Sequence, residues 1–230
     1  MFSSRKWLYA LSALLALSGC SGVRNVEIKA ELTTWPDGSP RKKSEFYYDD
    51  DGVRILHGVQ TEWFENGKKQ MEATYVDGRL EGMLTAWYNN GQRRHEGKWK
   101  NNRKDGVWTE WHMGEEKASE AFYVEGKIVG KRRFWMDGRK RAEEEYDAEG
   151  ALARTTWWYD NGQKEGEGSF KNGEKHGVWT YWTIDGHVEA EGEWRDGKPW
   201  EGVCSVASRA PGFSGVESFV RFHKGDATGK

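Results

Sequence analysis

A tryptophan returns at a nearly fixed interval along this 230-residue chain. Trp63, Trp87, Trp111, Trp135, Trp158 and Trp182 are separated by 24, 24, 24, 23 and 24 residues. Each is followed three or four positions later by a glycine: Gly67, Gly91, Gly114, Gly138, Gly162 and Gly186. A unit this short cannot enclose a core alone, so its copies must stack and bury their apolar groups jointly. Fold and function are therefore sought in the unit.

Asp77-Gly78, Asn90-Gly91, Asp137-Gly138, Asn161-Gly162, Asn172-Gly173, Asp185-Gly186 and Asp196-Gly197 are turn pairs. Glycine accepts the positive φ of tight hairpin turns, and Asp and Asn tolerate it best among the others. The segments between them are too short for helices and rich in aromatics and threonine, which predicts strands. Each unit then holds two antiparallel strands and two turns. The expected fold class is all-β: an elongated, single-layer antiparallel meander of repeated hairpins.

Alternation assigns faces. On the first strand, Trp63, Trp87, Trp111, Trp158 and Trp182 share a side with Thr61, Thr85, Thr109, Thr156 and Thr180, and further back with Val59, Met83, Val107 and Val178. This stripe is expected to face inward. Arg154 interrupts it, and Trp135 has Arg133 and Lys131 in the same places. The second strand carries Tyr75, Trp99, Tyr123, Tyr146, Phe170 and Trp194. Two positions earlier stand Ala73, Gly97, Ala121, Glu144, Gly168 and Gly192. Small residues beside large rings leave room for a neighbouring indole, so the two aromatic ladders are expected to interlock.

Three positions before each second aromatic is an acid: Glu72, Glu96, Glu120, Glu143, Glu167 and Glu191. These six would form a row, repelling one another unless cations such as Arg93, Lys117, Lys140 and Lys164 lie between them. The row reads as a mutually paired polar face, a strip for a cationic partner, or, least simply, a metal site. Phe64, Tyr88, Trp108, Trp157, Tyr159, Trp179 and Tyr181 read as outward aromatics. They suit a protein interface and equally suit the cover of a second sheet face. With the glutamate row they form the candidate interaction surface.

The pattern aromatic-x-x-Gly-[Lys/Arg]-x-x-Gly appears as Tyr75-Val-Asp-Gly78-Arg-Leu-Glu-Gly82 and Tyr123-Val-Glu-Gly126-Lys-Ile-Val-Gly130. Variants start at Trp99, with Asn102 at the first glycine; at Phe170, with Glu174 at the basic position; and at Trp194, with altered spacing. The copy from Tyr146 to Gly150 is the most degenerate. This pattern resembles the MORN repeat, especially the variant form of bacterial proteins, over roughly residues 35–202. The resemblance implies an elongated, twisted array of β-hairpins used in scaffolding, dimerisation or attachment near membranes. Some bacterial relatives carry an antitoxin label.

Residues 1–19 stand apart. Arg5 and Lys6 precede an apolar run from Trp7 to Leu17, too short for a permanent membrane helix and suited to a secretory signal. Leu17-Ser18-Gly19-Cys20 resembles the lipobox of bacterial lipoproteins, which implies cleavage before Cys20 and lipid attachment to it. An ordinary secreted protein and an uncleaved anchor are the alternatives. Two or more acyl chains would hold the body at a membrane, and Ser21 favours the outer membrane with a periplasmic body. Removing the leader lowers the formal charge from −2 to −4, far from the basic balance of a nucleic-acid binder. Cys204 then has no intrachain partner and reads as a small buried residue.

The expected organisation is a signal peptide over 1–19, a lipidated tether over 20–34, the array over 35–202 and a capping segment over 203–230. The histidines, His57, His95, His112, His176, His187 and His223, form no metal-ligand pattern, and no nucleophile elbow or phosphate loop is present. No catalytic residue, metal or cofactor is assigned. The expected function is a non-enzymatic envelope lipoprotein presenting a repeat surface to a protein partner or to itself. Binding of peptidoglycan or another envelope glycan, and immunity against one cognate toxin, are the alternatives.

Overall fold

The computed structural model describes residues 26–199 together with the Lys6–Trp7 pair. Cys20, Cys204 and the closing segment 203–230 lie outside the described residues. The chain forms one antiparallel sheet in which every strand lies beside its sequence neighbours. A two-residue β1 (Lys6–Trp7) pairs with β2 (Lys29–Thr34). Then come β3 (Pro40–Tyr48), β4 (Arg54–Trp63), β5 (Lys69–Val76), β6 (Arg79–Trp87), β7 (Arg93–Lys100), β8 (Arg103–Trp111) and β9 (Lys117–Val124). The array continues with β10 (Lys127–Met136), β11 (Arg139–Tyr146), β12 (Leu152–Trp158), β13 (Lys164–Lys171), β14 (Glu174–Trp182), β15 (Val188–Arg195) and β16 (Lys198–Pro199). β2, at Lys29–Thr34, pairs on its other side with β3.

Two kinds of bulge explain the spacing of the repeat. The first precedes every ladder tryptophan: Glu62 pairs with Met71 and Trp63 with Lys69, so Gln70 is an extra residue. The second opposes one strand's next partner. Ala73 pairs with Leu84 and Tyr75 with Leu80, leaving Glu81, Gly82 and Met83 opposite Thr74 alone. Gly82 takes φ 95° there, a left-handed region in which glycine carries no Cβ penalty. This is the physical demand behind the second glycine of the motif.

Both irregularities of the sequence fall out of the same register. The 23-residue step from Trp135 to Trp158 arises because β10 and β11 are joined by a two-residue turn, Asp137 and Gly138 at φ 52° and 70°. Elsewhere the corresponding turn is longer, as in Phe64–Lys68, where Phe64 N–H donates to Lys68 O. The degenerate copy after Tyr146 exchanges bulge for turn. Its turn is closed by Gly150 N–H to Asp147 O, and only Ala153 is left over between Leu152 and Arg154. Without the wide bulge no glycine is needed at 153.

The core lies on the face of the second-strand aromatics Tyr75, Trp99 and Tyr123, expected inside, and opposite to the first-strand stripe expected to join them. Across the strands, directly opposed residues run Gln60, Ala73, Leu84, Gly97, Trp108, Ala121 and Arg132, then Glu144, Thr155 and Gly168. Ala73, Leu84 and Trp108 form the buried cluster, with Met71, Tyr75, Leu80, Trp99 and Tyr123 packed against it. Large groups alternate with small ones: Trp108 lies between Gly97 and Ala121, and a Cβ on Gly97 would overlap its indole. Small residues do make room for an indole, but for Trp108 and Trp179 rather than for the ladder tryptophans. Val59, Met83, Val107 and Val178, expected inside, are exposed on the other face. A single-layer sheet has two faces to cover, and the stripe of alternating apolar residues marks only one of them.

Candidate functional site

The face opposite the core carries a row in which threonines separate the acids. Thr61, Glu72, Thr85, Glu96, Thr109 and Glu120 are successive register partners, and Thr156, Glu167, Thr180 and Glu191 continue the row. Thr180 donates to Glu191 at 3.1 Å. Two strand spacings put successive carboxylates about 9–10 Å apart, close to the screening length at physiological salt. Repulsion along the row is small for that reason.

A cation sits beside five of the six acids and reaches the next tryptophan; Glu191, with Val188 three places before it, accepts from Thr180 instead. Lys69 pairs with Glu72 at 2.5 Å and lies 5.6 Å from the Trp87 ring centre. Arg93 pairs with Glu96 at 3.1 Å and lies 4.4 Å from Trp111; Lys117 pairs with Glu120 at 2.6 Å and lies 5.2 Å from Trp135. Lys140 with Glu143 and Trp158, and Lys164 with Glu167 and Trp182, repeat the arrangement. Such contacts are worth about 0.5–1 kcal/mol each at exposed sites. The glutamate row is therefore a mutually paired polar face. The basic residue three places before five of the six acids was visible in the sequence; its reach to the next indole was not.

At Glu143 the row is knotted. Arg133 replaces threonine, and Lys131, Arg133 and Lys140 all pair with this carboxylate, at 2.7, 3.1 and 3.6 Å. Burial opposes its charge, but hydrogen bonds from Lys131 and Arg133 outweigh burial and hold the carboxyl below the usual glutamate range. A lowered folded-state pKa gives stability that is present above the unfolded value of about 4.3 and is lost as pH falls through the folded value. Glu143→Gln should accordingly lower the melting temperature near about pH 7, with the deficit fading below about pH 4. Thermal melts across that range check this; a deficit of constant size at every pH contradicts it.

The seven outward aromatics do not form one surface. Trp108 and Trp179 are 4% and 1% exposed. Trp99 stands edge-on to Trp108 at 5.5 Å, and Phe170 edge-on to Trp179 at 5.2 Å. Trp157 and Tyr181 pack on Trp179 at 5.9 and 6.4 Å, and burial pushes the Tyr181 hydroxyl far above its ordinary pKa. These four are core, because the repeat leaves Gly97, Gly166 and Gly168 beside them. Lysines cover two of the indoles. Lys104 lies 4.2 Å from Trp108, and Lys175 lies 3.9 Å from Trp179, where burial lowers its pKa to about 8. The other units have Leu56, Leu80 or Ile128 in that place, so the lysine and the core tryptophan occur together, a correlation readable from the repeats.

Phe64, Tyr88 and Tyr159 lie in the long turns and are half-buried. The Tyr88 and Tyr159 hydroxyls donate to the carbonyls of Trp111 and Trp182, both at 2.8 Å. His112 Nε2 lies 3.0 Å from Trp135 O in the equivalent place. These side chains lock one turn to the next. Where the short turn removes the aromatic, Arg141 Nε donates to Trp158 O at 3.0 Å instead. Among the described residues no cluster of His, Cys, Asp and Glu is placed to hold a metal.

The family model for the MORN repeat variant matches residues 56–77 and 152–172. The chain carries MORN-like repeats. Each match spans one hairpin, β4 with β5 and β12 with β13, so the MORN unit here is first strand, long turn and second strand. MORN repeats form binding or scaffold modules, generally for proteins or membrane lipids. No curated protein matches the chain.

Proposed function

We propose that this chain is a non-enzymatic envelope lipoprotein, anchored at the bacterial outer membrane through lipid on Cys20, whose MORN array presents its ladder face to a partner protein. The observation that carries this reading is the exposed apolar stripe on that face. Met83, Val107 and Val178 are 53%, 55% and 55% exposed, and Phe122, directly opposite Val107, is 46% exposed. Each of the first three follows a bulge glycine and contributes nothing to the core, so apolar identity there suits contact with another molecule. Five of the six ladder indoles, Trp87 to Trp182, already carry cations on their rings, which leaves less open aromatic surface for stacking on sugars and favours protein over glycan.

The test is a crosslinking pull-down from intact envelopes, using the wild-type chain, Met83→Glu/Val107→Glu and Cys20→Ala, with soluble peptidoglycan fragments as competitor. The expected result is one protein recovered in stoichiometric yield, lost with the double variant and unaffected by the glycan. Cys20→Ala should leave the membrane fraction or remain unprocessed. Competition by glycan, or self-association alone, overturns the protein-docking reading, and normal cleavage with membrane retention of Cys20→Ala overturns the anchor. A cognate toxin as the recovered protein would specify the immunity form of the same reading.

A further inference from the structure

The shortened turn between β10 and β11 opens a gap in an otherwise regular rim. A cavity of about 430 Å³ lies there, lined by Arg139, Lys140, Trp158, Asp160, Asn161 and Gly162. In neighbouring units an aromatic or histidine from the longer turn crosses this space to the next tryptophan carbonyl. Here Met136 stays exposed, and Arg141 makes the crossing from within the strand.

Charge in the gap is unevenly answered. The Asp160 carboxylate is taken by Arg141, and Lys140 is engaged by Glu143 and by the Trp158 ring, 3.9 Å from its centre. Arg139 donates from Nη1 to the backbone oxygen of Asp160 at 2.7 Å and pairs with no carboxylate among the described residues. A guanidinium has five N–H donors and suits a carboxylate bidentately. Asn161 is occupied, its amide donating to Ile184 O and its oxygen accepting from Gln163 N–H. The donors left for a ligand are those of Arg139, in a gap whose lining includes Trp158 under Lys140. The cavity at the other rim is lined by Val76, Asp77, Arg79, Glu81 and Asn101, and there Arg79 donates to Asn101 Oδ1 at 3.4 Å.

We propose that this gap is a docking site for an acidic segment of a partner protein, with one carboxylate held by Arg139 and the adjoining chain lying against Trp158. The inference rests on the reading of the array as a protein-docking module and names the chemistry of what docks. The volume exceeds that of a simple inorganic anion, and Trp158, although Lys140 already lies over its ring, lines the gap with apolar surface that phosphate cannot use.

The test is calorimetric titration of the full chain in detergent micelles, at low salt, with a short oligoglutamate peptide, its oligoglutamine counterpart and inorganic phosphate. Losing a charge-assisted contact of this kind weakens binding by about tenfold or more. Oligoglutamate should bind the wild type and lose about that factor in Arg139→Ala. It should lose the same in a variant with asparagine inserted after Met136, which restores the long turn and closes the gap. Lys69→Ala, a ladder cation elsewhere, should stay within about twofold, and oligoglutamine should not bind. Equal loss in Lys69→Ala, phosphate binding as tightly as the peptide, or no binding to the wild type each overturns the site. If the site fails while the envelope pull-down still depends on Met83 and Val107, the docking face stands without it; if the pull-down fails and the peptide behaves as stated, the reverse holds.

Discussion

Trp179→Ala is expected to destabilise the protein by about 3–5 kcal/mol, the range for truncating a buried tryptophan. Trp179 is among the largest fully buried side chains, and its Nε1 donates to Ser169 O at 3.1 Å. Phe170, Trp157 and Tyr181 surround it, and Lys175 covers a ring face. Removing the indole leaves a void that Gly168 cannot fill, so relaxation recovers little. The loss should be local. Strands touch their neighbours in sequence, so hydrogen exchange is expected to rise over β13–β15 and to change little in β4–β7. A thermal melt within about 1 °C of wild type would remove Trp179 from the core.

The second large effect is at the partner of that ring. Gly168→Ala should cost about 1–3 kcal/mol, and Gly168→Leu at least as much, because the first added carbon already overlaps the Trp179 indole. Ordinary β propensity predicts the opposite, since alanine orders a strand better than glycine. The sign therefore separates the two causes. The compensating pair is informative as well: in Trp179→Leu, Gly168→Ala should become neutral or stabilising. Scanning calorimetry of the four proteins forms the cycle, and additivity would mean the two sites do not touch.

The hairpin array was legible because its signals are local. Asp and Asn before glycine fix turns within four residues, and strand length follows from the distance between turns. The faces were harder, because alternation was carried straight through positions where the chain bulges. Gln70, Arg94 and Ala118 are extra residues in their ladders. They cannot be told from paired ones without the register. Taking the tryptophan ladder as the core followed from its regularity, yet regularity came from the turns, where Tyr88 and Tyr159 tie neighbouring units together. The buried indoles Trp108 and Trp179 occur in only some units, so the repeat by itself does not assign them to the interior. The paired nature of the glutamate row was readable from the basic residues beside it. The gap at Arg139 was visible only as a missing residue between Trp135 and Trp158.

The order of the strands also decides how the molecule bears load. Hydrogen bonds between antiparallel strands run perpendicular to them, along the line from β2 to β15. Tension applied between the two ends of this array therefore falls on one strand pair at a time, from the outside in, and each pair opens like a zipper instead of resisting in shear. Yielding comes in steps of a strand or a hairpin. The cross-turn bonds from Tyr88, His112, Arg141 and Tyr159 lie in the same direction as the pull. They are the catches that each step must release. A chain tethered at one end and held by a partner at the other would lengthen by increments, and its far hairpins would keep their shape while the near ones gave way.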